Sequence, residues 1–227
     1  MIPVSFVSQL GVNADRHGLD CGAAAAAMIL GAYNKPVPTV DDLYHAMQPS
    51  GDTYLSAGKI ITEMNRRDAP MFWAQNYTVD LLFQRLRERR PVICLISYAV
   101  LLDRKVVIDR KFRGAHFLVI NGISDEAVNV LDPLTKEYPI QLDIWEEAWN
   151  VDGIRGGIII PSYGIGVIGY RAIVSTTWGL NVRPEPSIRL APIRRLINGT
   201  LVVVQKAANG WGWIGDGWIK LSYTARV

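Results

Sequence analysis

Leu19-Asp20-Cys21-Gly22-Ala23-Ala24-Ala25-Ala26-Ala27-Met28-Ile29-Leu30 is the stretch around which the rest of the chain is read. It predicts a helix that begins at a cysteine. Asp20 is a good N-cap residue, since a carboxylate there accepts orphan N–H groups of the first turn. Five consecutive alanines are the strongest helix formers, and their small side chains let the helix lie close to its neighbours. A thiol in the first turn meets the positive end of the helix dipole, which favours thiolate. The alternative is a buried structural cysteine.

The chain has 227 residues, 49% of them hydrophobic and 20% charged, with a formal net charge of +3. That length accommodates one domain and a smaller one. A pI of about 8.9 suits anionic surfaces such as cell walls but is no nucleic-acid signature, and no nucleic-acid partner is expected. Arg85-Leu86-Arg87-Glu88-Arg89-Arg90 reads as the solvated end of a helix. No apolar run is long enough to span a membrane. Met1 to Gln9 lacks the basic and apolar segments of a signal peptide, so synthesis in the cytoplasm is expected unless a leader has been removed. The two cysteines, Cys21 and Cys94, make no disulfide scaffold, and no Cys/His group has zinc spacing. No cofactor or metal is expected. Cys94, within Pro91-Val92-Ile93-Cys94-Leu95-Ile96, reads as core.

Outward from the Cys21 helix, Thr39 caps a short helix to Met47, and a further helix runs from about Ser56 to Arg66 with Ile60, Ile61 and Met64 inward. Thr78 caps another, whose Val79, Leu82, Phe83 and Leu86 follow a packed-face spacing. Val92 to Tyr98 reads as a strand. Asp103 to Arg113 reads as an irregular excursion or short hairpin. Gly114–Gly122 and Ala127–Asp132 form a strand pair around a turn at Ser124-Asp125-Glu126. Asp143 to Trp149 reads as helix and Gly157–Ile160 as strand. Helices first and strands afterwards give an α+β domain with an antiparallel sheet.

Tyr163 to Gly169 is Gly-rich and aperiodic, a linker. Beyond it come short strands at Arg171–Ser175, Gly179–Val182, Gly199–Val204, Trp211–Gly215 and Trp218–Leu221. Such a run predicts a small all-β barrel. Trp211, Trp213, Trp218 and Tyr223 belong either to its core or to a binding face.

A cysteine nucleophile needs a base. His17 lies four residues before Cys21, His45 on a predicted surface helix, and His116 on a strand. If the hairpin turn centres on Ser124-Asp125, His116 faces Asp132 or Pro133. An aspartate there would fix the tautomer and orientation of the imidazole, completing a nucleophile–base–orienter set. The backbone N–H of Cys21 and the side-chain amide of Gln9 are the candidate oxyanion donors.

Gln9, Asp20-Cys21-Gly22-Ala23-Ala24, Gly114-Ala115-His116-Phe117-Leu118-Val119 and Val130-Leu131-Asp132-Pro133 together resemble the papain-like cysteine peptidases. The likeness is to the group related to the double-glycine-leader (bacteriocin-processing) peptidases. It implies a papain-like fold over 1–162, with Cys21 as nucleophile, His116 as general acid/base, Asp132 as orienter and Gln9 in the oxyanion hole. Ala23 stands where a proline is common, and the spacing from Gln9 to Cys21 is longer than in the leader peptidases.

Residues 170–227, after a linker at 163–169, resemble the bacterial Src-homology-3-like domains. The likeness rests on Gly179-Leu180-Asn181-Val182-Arg183-Pro184, Asn198-Gly199-Thr200, Gly210-Trp211 and Gly217-Trp218-Ile219. A cysteine hydrolase joined to such a domain resembles the cell-wall lysins of bacteriophages. This implies hydrolysis of amide bonds in peptidoglycan, with the second domain holding the enzyme on the wall. A protein- or leader-peptide-processing protease, and a non-catalytic binding protein on the same shell, are the alternatives. The expected partner is therefore peptidoglycan or a peptide.

Overall fold

The computed structural model describes residues 1–11, 18–48, 53–107, 112–165 and 170–227. Two compact units divide these residues, Met1–Pro161 and Ser162–Val227.

In the first unit, helices α1 (Cys21–Ala32), α2 (Val40–Met47) and α3 (Ala57–Arg66) precede β1 (Met71–Ala74). Then follow α4 (Val79–Arg87), β2 (Val92–Ser97), α5 (Tyr98–Asp103), β3 (Ala115–Ile123), β4 (Ala127–Leu131), β5 (Glu137–Gln141), α6 (Leu142–Trp149) and β6 (Ile158–Pro161). The strands form a six-stranded sheet in the order β1-β6-β2-β3-β4-β5. Every adjacent pair is antiparallel.

Local chemistry sets the helix starts. The Thr39, Ser56 and Thr78 hydroxyls accept from Asp42, Lys59 and Leu81 N–H respectively. Asp20 occupies the N-cap position of α1, but its backbone is already helical and its side chain makes no capping bond, contrary to expectation. Every residue from Cys21 to Leu30 is buried. Helix α1 packs with Leu43, Tyr44, Ile60 and Met64 on one side and with Ile93, Val119, Leu131 and Ile159 of the sheet on the other. The alternate strand residues Cys94, Ile96, Leu118 and Ile120 are also fully buried, so both sheet faces are covered. Cys94 is thus a core residue, as its apolar run predicts.

The expected helices and central strands are present, with four differences. Tyr98 opens α5 rather than ending β2, although its N–H still donates to the Gly114 carbonyl in the register of the β2–β3 ladder. Strands β1 and β5 carry mixed, half-buried patterns that no alternation marks. The β3–β4 turn falls later than predicted, with Ile123 opposite Val128, and the register shifts at a bulge between Ile120 and Gly122. Arg85 and Arg90 are buried, not solvated. Arg85 bonds the Tyr77 hydroxyl and Glu88, and Arg90 donates to the Pro161 carbonyl at 3.2 Å. Residues 108–111 of the expected excursion lie outside the described residues, as do 166–169 of the expected linker.

The second unit consists of short strands β7 (Tyr170–Val174), β8 (Leu180–Val182), β9 (Arg194–Leu196), β10 (Leu201–Val204), β11 (Lys206–Ala208), β12 (Trp211–Trp213), β13 (Trp218–Lys220) and β14 (Thr224–Arg226). They pair as β10-β7-β14, β11-β12-β13 and β8-β9 around a core of Ala172, Val174, Val182, Val204, Ile214 and Ile219. Trp211 is buried, Trp213 and Trp218 are half-buried, and Tyr223 is exposed, so the core reading fails for Tyr223.

Candidate active site

Cys21 is the first residue of α1, where the opening N–H groups have no partner within the helix. It is 5% exposed and lines a cleft of about 620 Å³ whose walls include Leu55, Ile61, Trp73, Leu95 and Phe117. Gly22 lies close beneath two of these wall residues. A Cβ there would stand 2.9 Å from Ile60 Cδ1 and 3.3 Å from both Leu55 and Phe117.

His116 comes from β3, where it lies opposite Ile96 of β2. Its Nε2 lies 2.8 Å from Asp132 Oδ1, and Cys21 is near enough to favour the charged imidazole. With Nε2 engaged by the carboxylate, Nδ1 is the remaining ring nitrogen. Cys21, His116 and Asp132 therefore meet, although they are separated by up to 111 positions in the chain. His45, on α2, is half-exposed beside Asp41, and His17 lies outside the described residues.

The predicted register does not produce this meeting. Val119 pairs with Leu131, so Asp132 follows the end of β4, one or two positions out of the expected alignment. A turn corrects the position. Asp132 N–H donates to Lys136, Thr135 N–H donates to the Asp132 carbonyl, and Leu134 N–H donates to Asp132 Oδ1 at 2.9 Å. The carboxylate's other oxygen accepts from Tyr98 at 3.1 Å, Thr135 at 2.9 Å and Tyr138 at 2.8 Å. Sequence reasoning missed these three donors. Thr135 carries a local turn signature, three residues after the Asp of an Asp-Pro pair. Tyr98 and Tyr138 carry none, because only the fold brings them in.

The electrostatics follow from this packing. Burial opposes the charge on Asp132, but the His116 bond, the Leu134 amide and the Tyr138 hydroxyl outweigh it and hold its carboxyl below the usual range. Burial also opposes the charge on His116, yet its bond to Asp132 and the nearby Cys21 push it up to about 9. Burial and the Asp132 charge push the Tyr138 phenol up, so it remains a neutral donor. Tyr98 packs edge-on against the His116 ring with centroids 4.9 Å apart, and Phe112 does so at 6.0 Å.

Gln9 is buried, and its N–H donates to the Pro133 carbonyl at 3.0 Å, which ties it to the turn that holds Asp132. Among the described residues no group of His, Cys, Asp or Glu is arranged to hold a metal, and no helix is long and apolar enough to cross a membrane.

A family model described as the Peptidase_C39 like family matches residues 1–154. The chain belongs to that family. A structure of a putative C39-like peptidase from Bacillus anthracis is similar at 15% identity and TM-score 0.55, covering 71% of this chain and 95% of that one. A double glycine motif protease from an AMS/PCAT transporter, in complex with its leader peptide, matches at 17% identity and TM-score 0.47, over 70% and 93% of the two chains. The peptidase domain of Streptococcus ComA matches at 15% and TM-score 0.49, over 71% and 98%. Comparison with curated proteins gives no match. The C39-like chain is a papain-like cysteine peptidase with helices set against an antiparallel sheet.

In the second unit of this peptidase, a groove of about 730 Å³ includes Trp178, Arg183, Ile188, Lys220 and Tyr223 among its walls. Trp178 is 81% exposed. Residues 162–227 contain eight Lys and Arg against two acidic residues.

Proposed function

We propose that this C39-like peptidase processes polypeptides, with Cys21 as nucleophile, His116 as general acid/base and Asp132 as the group that orients the imidazole. The observation that carries the proposal is the His116–Asp132 pair set beside Cys21, which lines a cleft whose described walls are largely apolar and carry no charge. Such walls suit the side chain of a polypeptide better than the sugars and carboxylates of a cell wall.

In this mechanism the Cys21 thiolate faces a protonated His116 and attacks the scissile carbonyl. The tetrahedral oxyanion receives the Cys21 backbone N–H and the Gln9 amide. As the C–N bond breaks, Nδ1 of His116 gives its proton to the departing amine, leaving an acyl thioester on Cys21. His116 then takes a proton from water, whose oxygen attacks the thioester and releases the acid with the thiolate restored. Throughout, Asp132 keeps the ring fixed through Nε2 and balances its charge.

One observation favours a second reading. The excess of cations in residues 162–227, with exposed Trp178 and Tyr223, suits retention on an anionic surface. This is the arrangement implied by a Src-homology-3-like wall-binding domain on a lysin acting at the bacterial wall. Mass spectrometry of products from a denatured polypeptide mixture and from purified peptidoglycan, each with Cys21→Ala as control, tests both. Cys21-dependent peptide products are expected. Fragments from peptidoglycan alone would reverse the assignment.

A further inference from the structure

We infer that Tyr98, Thr135 and Tyr138 are positioning residues whose hydroxyls, gathered on one oxygen of Asp132, weaken the hold of that carboxylate on the His116 proton. The inference deepens the polypeptide-processing reading and rests on it. The three residues come from separate parts of the first unit. Tyr98 opens α5, Thr135 lies in the turn after β4, and Tyr138 belongs to β5, where it pairs with Val130. Their hydroxyls lie 3.1, 2.9 and 2.8 Å from Asp132 Oδ2. Oδ1 has a different pair of partners, the Leu134 N–H at 2.9 Å and His116 Nε2 at 2.8 Å. Three donors on one oxygen exceed its two lone pairs, so they divide its charge among them.

Orientation alone does not need this set. The Asp132 turn is closed by its own backbone, with Asp132 N–H donating to the Lys136 carbonyl and Thr135 N–H to the Asp132 carbonyl. Oδ1 is already aligned by Leu134 and His116. What the hydroxyls add is withdrawal of charge. Asp132 is fully buried, and among the described residues no lysine or arginine pairs with it, only His116. In such a site a carboxylate without further donors would hold the imidazolium proton more firmly and make it a poorer acid. Each donated hydrogen bond stabilises the carboxylate and lessens that hold. Burial and the Asp132 charge keep Tyr138 protonated, so it acts only as a donor. The other titratable group acting on His116 is Cys21, at the start of α1.

The test is an NMR titration of the His116 imidazole in the full chain, with its signals assigned by their loss in His116→Gln. Tyr138→Phe and Thr135→Val each remove one hydroxyl and keep most of the side chain, whereas Thr135→Ser keeps the hydroxyl. The expected result is a titration moved to higher pH by about 0.5 in Tyr138→Phe and in Thr135→Val, further in the double variant, and unmoved in Thr135→Ser. With casein as substrate, kcat at neutral pH falls about 2- to 10-fold in the first two variants with KM little changed, because a weaker acid releases its proton less readily. Circular dichroism identifies a variant that fails to fold, and the other then decides. An unmoved or lowered titration in a folded Tyr138→Phe or Thr135→Val would overturn the inference and leave the peptidase reading intact. A carboxylate merely loosened by the change would move the imidazole downward, the direction that loss of its charge gives. The expected titrations in a chain that cuts no polypeptide would overturn the polypeptide-processing reading, and with it the part of the three hydroxyls in that reaction.

Discussion

Tyr98 holds both halves of the His116–Asp132 pair, donating its hydroxyl to Asp132 at 3.1 Å while its ring meets the imidazole edge-on at 4.9 Å. It is fully buried at the start of α5, whose first N–H is fixed to the Gly114 carbonyl of the chain entering β3. Tyr98→Phe keeps the ring and removes one donor. Its expected effect is a fall in kcat of about 10-fold, with KM little changed, and an upward shift of the Asp132 carboxyl. Steady-state kinetics over pH checks this. An unchanged profile would leave Tyr98 with a packing role alone.

The pH dependence has a defined sign. His116 is raised from 6.5 to about 9, so the acid form that the proposed mechanism uses for amine departure persists through neutrality. Expected kcat/KM therefore declines as pH rises through about 9. The stability contributed by the same charge is fully present below pH 6.5 and is lost as pH rises through about 9. Asp132→Asn removes the negative partner. That variant should move the alkaline limb to lower pH and lower kcat by roughly 10²- to 10⁴-fold. A limb that stays near 9 in Asp132→Asn would assign it to another group.

Cys21→Ala should abolish turnover, by about 10⁴-fold or more, without unfolding the chain, because alanine suits the first turn of a buried helix. Circular dichroism and intact-mass trapping of acyl-enzyme separate loss of the nucleophile from loss of structure. Residual activity matching wild type would end the assignment.

Glu63 offers a prediction remote from the cleft. It is buried on α3 and accepts from Arg66 at 2.8 and 2.7 Å and from Arg67 at 2.6 Å. The Arg66 bonds, against burial and with Arg67, hold its carboxyl below the usual range. Its contribution is present above the ordinary glutamate pKa and is lost as pH falls through the lowered one. Glu63→Gln should lower Tm by a few degrees at neutral pH, with a smaller difference at pH 3. Thermal melts at the two values decide it.

Local chemistry made much of this molecule legible. Thr39, Ser56 and Thr78 mark their helices because a hydroxyl before an apolar-periodic run has one physical use. The burial of α1 follows from its alanines, and that of Cys94 from an unbroken apolar run. Proximity of His116 and Asp132 was also foreseeable, but partly for the wrong reason. The bulge and the later turn displace the register, and a compact turn after Leu131 brings the carboxylate back. Tyr98 and Tyr138 were invisible because their partners lie on other elements. Arg85 and Arg90 misled for a similar reason. A basic run reads as solvent-facing until Tyr77 and the Pro161 carbonyl, each distant or non-local in sequence, are seen to receive it.

The alanine run has a consequence for how this enzyme can change. Ala23 to Ala26 have no accessible surface, and the rod they form presses directly on the sheet that carries His116. Each extra methyl along it would act as a shim, displacing the sulfur from the imidazole, and misplacement by about 1 Å can cost roughly 100-fold in rate. Under the proposed mechanism, change is therefore easier at the described cleft residues than along the rod itself.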